Sequence, residues 1–150
     1  MKKFLFVLAG CLASVATYAQ KAKCDSVFNA YIYNDEYKVY IDMNLYKQDI
    51  NVPGQEVLGN MPGYFGAIRD SRKWLFASAK IEGKNSALLD IVNDYGSEDL
   101  TAILTYDAAK DVYRLKQTGG SRLKIVVNRK WQKIPAEITF ARHKRVANTW

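Results

Sequence analysis

Apolar and polar residues alternate most cleanly over residues 37–45. Val39, Ile41, Met43 and Leu45 fall on one face, and Lys38, Tyr40, Asp42 and Asn44 on the other. Successive side chains of a strand point to opposite sides of a sheet, so this period of two predicts a half-buried β-strand. Runs rich in branched and aromatic residues recur along the chain at 27–33, 63–69, 74–81 and 86–93. Residues 123–127 alternate again, as do 134–141, where Ile134, Ala136, Ile138 and Phe140 share a side. A weaker run at 56–60 reads as a short strand, and Pro62 marks a break or an edge. Turn-forming residues separate the runs at Asn34-Asp35-Glu36, Pro53-Gly54, Glu82-Gly83-Lys84-Asn85 and Thr118-Gly119-Gly120-Ser121. Residues 47–54 read as a polar connection, and 129–133 as a basic turn carrying Trp131.

One segment supports two readings. Ser97-Glu98-Asp99 resembles a helix N-cap with acids in its first turn, and Leu100, Leu104, Ala108, Val112 and Leu115 form a helical stripe. That reading places a helix near 98–116 and makes the fold α+β. Against it, Thr101, Ile103, Thr105, Tyr106, Val112 and Tyr113 are residues that fit strands. The favoured reading is therefore two strands around residues 107–111. The whole pattern predicts an all-β fold, an antiparallel meander of about eight strands closed into a small barrel or stacked as a sandwich.

The start of the chain is set apart from this pattern. Lys2 and Lys3 precede a mostly apolar run over 4–16, followed by Thr17-Tyr18-Ala19 with small residues at the two positions that a signal peptidase reads. The run is too short to span a bilayer as a helix. The expected organisation is a signal peptide at 1–19 and a single β domain at 20–150 with a short basic C-terminal tail, exported to the periplasm or the cell exterior. Leu8-Ala9-Gly10-Cys11 offers the alternative of an outer-membrane lipoprotein acylated on Cys11. If Cys11 leaves with the leader, Cys24 is the one remaining cysteine and no internal disulfide forms.

Charge divides the chain. From Lys110 onward there are 11 Lys/Arg against Asp111 and Glu137, whereas residues 20–109 carry 9 basic and 13 acidic residues. A basic surface points to an anionic partner. Export argues against nucleic acid, leaving an acidic protein, acidic polysaccharide or peripheral contact with anionic membrane lipid through the basic region.

The pieces Tyr40 to Leu45, Gly63-Tyr64-Phe65, Trp74 to Ile81, Leu100 to Tyr106 and Pro135 to Phe140 resemble the meander of small, lipocalin-sized exported β-barrel proteins of Gram-negative bacteria. The resemblance implies a barrel and an exported location. It implies no catalytic residue, and many such proteins have no assigned activity.

Catalytic chemistry finds little to work with. The only histidine, His143, lies between Arg142 and Lys144, whose charges disfavour its protonation. No Cys/His spacing suits a metal, and the acids Asp94, Glu98 and Asp99 around Gly96 depart from a calcium loop. The reading is no enzyme and no cofactor or metal. The aromatic residues are more telling, since alternation turns Tyr40 away from the core face. Residues expected to contact a partner are Tyr40, Tyr64, Phe65, Trp74, Arg129, Lys130, Trp131 and Lys133. The function expected is a non-enzymatic binding protein engaging another protein in the envelope, as an inhibitor or immunity-type factor. The alternative is a carrier holding a small apolar ligand inside the barrel.

Overall fold

The computed structural model describes residues 26–145. The expected leader, Cys11, Cys24 and Trp150 lie outside the described residues. Twelve strands follow in order: β1 (Asn29–Asn34), β2 (Val39–Asn44), β3 (Ile50–Asn51), β4 (Asn60–Met61), β5 (Gly63–Ala67), β6 (Asp70–Glu82), β7 (Ser86–Asn93), β8 (Asp99–Asp107), β9 (Val112–Gly120), β10 (Lys124–Val127), β11 (Lys130–Lys133) and β12 (Glu137–His143). Eight of them close a barrel in the order β1-β12-β9-β8-β7-β6-β5-β2, every pair antiparallel and β2 returning to β1. Closure leaves no free sheet edge in the barrel. The remaining four form two small sheets, β3-β4 and β10-β11.

The all-β reading holds, and the fold is a barrel rather than a sandwich. The helix considered near 98–116 is instead the β8–β9 hairpin, with Leu104 facing Leu115 and Tyr106 facing Tyr113. Its apolar residues serve both patterns, because Leu100 and Leu104 are spaced by four. The branched residues between them favour the extended chain. Three finer expectations change. Residues 56–58 form a short 3-10 helix rather than a strand. Residues 130–133 are a strand, and the supposed polar connection at 47–54 contains β3.

Side chains fill the barrel. Ile32, Ile41, Met43, Phe65, Phe76, Leu89, Ile91, Leu104, Tyr113, Leu115 and Phe140 are all fully buried in one continuous cluster. An eight-stranded barrel has just enough interior for such a filling, and each large apolar side chain so buried contributes about 1.5–3 kcal/mol. One end is closed by Arg142, whose guanidinium lies 5.6 Å from the Tyr106 ring and 5.5 Å from the Tyr113 ring and pairs with Asp111 at 3.3 Å. The Tyr113 hydroxyl donates to the Val27 carbonyl beside it, tying down the chain that leads into β1. The opposite end is capped by the β10–β11 hairpin.

The long connection from β2 to β5 folds back over the outside of the barrel. There Val52, Tyr64 and Leu75 are buried together, with Tyr40, Ile50, Met61 and Val92 packed around them. This second small core explains why all five residues of β5 are buried. Its outer face is covered as well as its inner one.

Candidate functional site

The end capped by β10 and β11 holds four of the eight residues expected to meet a partner. The hairpin is anchored from below. Leu123, Ile125 and Ile134 insert into the barrel mouth and are buried. The chain entering and leaving the hairpin is cross-tied. Leu123 N–H donates to the Gln117 side-chain oxygen at 2.8 Å, and the Gln117 amide donates to the Pro135 carbonyl at 3.0 Å. Two residues of β6 then latch it to the barrel wall. Trp74 Nε1 donates to the Lys124 carbonyl at 3.1 Å, and Val126 N–H donates to Asp70 Oδ2 at 2.8 Å. Asp70 is almost wholly buried and also accepts the Arg72 N–H at 3.1 Å.

Strand pairing sets the outer surface. Lys124 faces Lys133 and Val126 faces Trp131, while Ile125 faces Gln132 on the side turned to the barrel. Trp131 is 58% exposed. The Arg72 guanidinium lies 5.1 Å and the Lys124 ammonium 5.0 Å from its ring centroid, both within cation–π range. Lys124 also pairs with Glu98 at 2.9 Å, and Arg72 with Asp70 at 3.5 Å. Arg129, Lys130 and Lys133 are exposed and have no ion pair among the described residues. No acid occurs anywhere between Ser121 and Ala136. The hairpin therefore presents an aromatic ring held by two cations, with Arg129, Lys130 and Lys133 exposed along the same turn and strand and without an ion pair among the described residues. It can hold an anionic group.

The other expected contact residues are placed differently. Phe65 is fully buried and Trp74 is 4% exposed, so neither offers a contact surface, and both expectations are corrected. Trp74 turns inward on β6 and serves the hairpin as an anchor. Tyr64 points outward from the barrel but is buried beneath the β3–β4 connection. Tyr40 is half-buried against the same small core. Its ring stacks with Tyr31 at 5.2 Å between centroids and meets Tyr64 edge-on at 5.9 Å. These rings form a ladder across β1, β2 and β5, away from the hairpin. Burial, reinforced by Tyr40 and Asp42, pushes the Tyr31 hydroxyl up to about 12, and burial raises Tyr64 further.

Sequence reasoning missed Asp70, Arg72 and Lys124 as members of the site. Arg72 and Asp70 sit in a short polar connection that reads as an ordinary turn. Only the barrel's closure brings β6 beside β10. His143 is exposed and lies against the rings of Tyr31 and Tyr33 at 6.1 and 5.5 Å, far from any nucleophile–base arrangement among the described residues. The acids of the β7–β8 turn are engaged within the fold, Asp94 accepting the Lys73 N–H and Glu98 pairing with Lys124. Two shallow hollows lie on the barrel flank. One of about 280 Å³ is lined by Tyr33, Thr139, Arg142 and His143, and one of about 270 Å³ by Asp90, Asp99, Thr101 and Gly119. No protein family, curated protein or solved structure compared with the chain matches it.

Proposed function

We propose that this chain is an exported, non-enzymatic binding protein that engages another protein in the cell envelope through the β10–β11 hairpin, in the manner of an inhibitor or immunity factor. The observation that carries the proposal is the hairpin surface, with Arg129, Lys130 and Lys133 exposed and without an ion pair among the described residues, on the same hairpin as an exposed Trp131. Tryptophan and arginine are the residues that most often dominate the energy of protein interfaces. The filled interior supports the same reading. A carrier would draw on an internal hollow, and that space is taken by Phe65, Phe76, Leu104, Phe140 and their neighbours. Export is supported by Lys2, Lys3 and the apolar run that follows, and by the resemblance to small exported barrels.

The test is retention of a partner from the native envelope by the tagged protein. Wild type retains an acidic protein that salt releases. The double charge reversal Lys130→Glu/Lys133→Glu weakens that retention at least roughly tenfold, since it turns two attractive contacts repulsive. Equal retention by the two proteins would remove the hairpin from the contact.

A further inference from the structure

Resting on that reading, we infer that Arg129 is the anchoring residue of the hairpin, set to receive a carboxylate from an acidic segment of the partner protein. The first observation concerns the backbone. Two residues, Asn128 and Arg129, join the Val127–Lys130 pair, and both lie in the left-handed region at φ 52° and 65°. Two-residue hairpin turns of this kind suit asparagine at the first position and strongly favour glycine at the second. An arginine there is held in a conformation that its side chain disfavours.

The other left-handed non-glycine residues have visible reasons for their conformation. Lys38 pairs with Asp35, Gln48 donates to the Ala79 carbonyl, and Asp111 holds Tyr106 and Arg142. Asn128 is the residue type that tolerates the region. Arg129 alone of the five is neither of a tolerant type nor bonded to any described residue through its side chain. The turn accounts for the conformation but not for an arginine in it, which directs attention to a group outside the chain.

The second observation is independent and lies in the ladder. Lys124 and Lys133 stand directly opposite one another, an arrangement that destabilises a hairpin. Glu98 relieves Lys124, and nothing described relieves Lys133. Two unfavourable local choices thus occupy the two ends of one short hairpin ladder, and an acidic segment lying along it would meet both cations. A guanidinium matches a carboxylate with two parallel N–H donors, which gives direction as well as charge. Trp131, two residues on in β11 and 58% exposed, offers apolar surface to the same segment.

A compact acidic patch fits better than an anionic membrane. The neighbouring turns at this end are charge-balanced, with Asp35, Glu36 and Asp94 against Lys38, Arg69 and Lys73, so the excess positive charge there is confined to the hairpin. A flat anionic surface would draw little from those turns, whereas a compact acidic segment meets the excess where it lies.

The test uses the full domain with poly-L-glutamate as probe, beside phosphatidylglycerol vesicles. Arg129→Gly is expected to raise the denaturant midpoint, because it relieves the turn, and to lower affinity for poly-L-glutamate roughly tenfold. Arg129→Lys keeps the charge and loses the fork, so its affinity falls between the two. An Arg129→Gly variant that gains no stability, or that binds poly-L-glutamate as wild type does, overturns the assignment. If Lys130→Glu/Lys133→Glu still loses affinity in that case, the hairpin reading survives and only the anchor falls. If neither variant loses affinity, both fall. Tighter binding to the vesicles than to poly-L-glutamate overturns the acidic protein in favour of a membrane.

Discussion

At the scale of single residues, the aromatic ladder and the glycine beneath it make two checkable statements. Gly66 faces Tyr40 across β2 and β5, and a Cβ built there would stand 2.6 Å from the tyrosine ring. Its backbone is ordinary, so the cost of a side chain there is set by how far the half-buried Tyr40 ring must shift. Gly66→Ala should destabilise the barrel by about 1–3 kcal/mol, as overpacking does. Combining it with Tyr40→Ser should recover part of the loss, measured as a shift in denaturant midpoint. An additive double variant would show that the ring and the glycine are not coupled. The second statement concerns alkaline pH. Burial is the first cause raising the hydroxyls of Tyr31, Tyr40, Tyr64, Tyr106 and Tyr113. Such a group stays neutral in the fold after it has ionised in the unfolded chain. The stability it contributes is whole below pH about 10, the value for free tyrosine, and is lost as pH rises through the folded value. Unfolding should therefore become easier above pH ~10, while native tyrosine absorbance at alkaline pH lags behind that of the denatured chain. Coincident native and denatured titrations would contradict the burial of these rings.

At the scale of elements, the hairpin depends on a latch. Asp70 accepts two backbone N–H groups and pairs with Arg72 while almost wholly buried, so Asp70→Ala strands two donors and a cation. The expected loss is about 2 kcal/mol, concentrated where the bonds were. Hydrogen exchange should quicken in β10 and β11 and change little in β7 and β8; uniform quickening would mean that the hairpin is not a separate cap. This element also shows what the sequence could and could not reveal. The alternation in β2 was legible because one face of it meets the core and the other is wetter. In β5 the pattern fails, since the β3–β4 connection covers the outer face and all five residues are buried. Phe65 therefore looked available when it is not. In β11 every residue is exposed, so Lys-Trp-Gln-Lys carries no apolar phase and reads as a turn. The basic and aromatic part of the site was visible as composition. Asp70, Arg72 and Trp74 joined it only through strand order, which local pattern does not encode.

At the scale of the whole molecule, the described residues form a closed barrel filled with side chains and capped at both ends, Arg142 over the adjoining rings of Tyr106 and Tyr113 at one and the hairpin at the other. Its acidic and basic halves do not separate into opposite faces. Arg145 reaches back to Asp42 at 2.8 Å and Lys124 to Glu98, so cross-half ion pairs absorb part of the asymmetry. Among the described residues Lys47, Arg69, Lys84, Lys110, Lys116 and Lys144 also lack an ion pair, scattered over other turns and strands, whereas Arg129, Lys130 and Lys133 fall together on one hairpin. A filled interior makes large-to-small changes costly. Phe76→Ala should lose about 3–5 kcal/mol, whereas a ligand-sized hollow beside Phe76 would soften that loss. Under the proposed function this barrel binds on its outside, through the hairpin, and not within. The deciding measurement is native mass spectrometry of the protein recovered gently from its native cells, run on wild type and on Lys130→Glu/Lys133→Glu. A wild-type complex with a second protein, which the double variant does not form, is expected. A small apolar molecule retained equally by both proteins would contradict it.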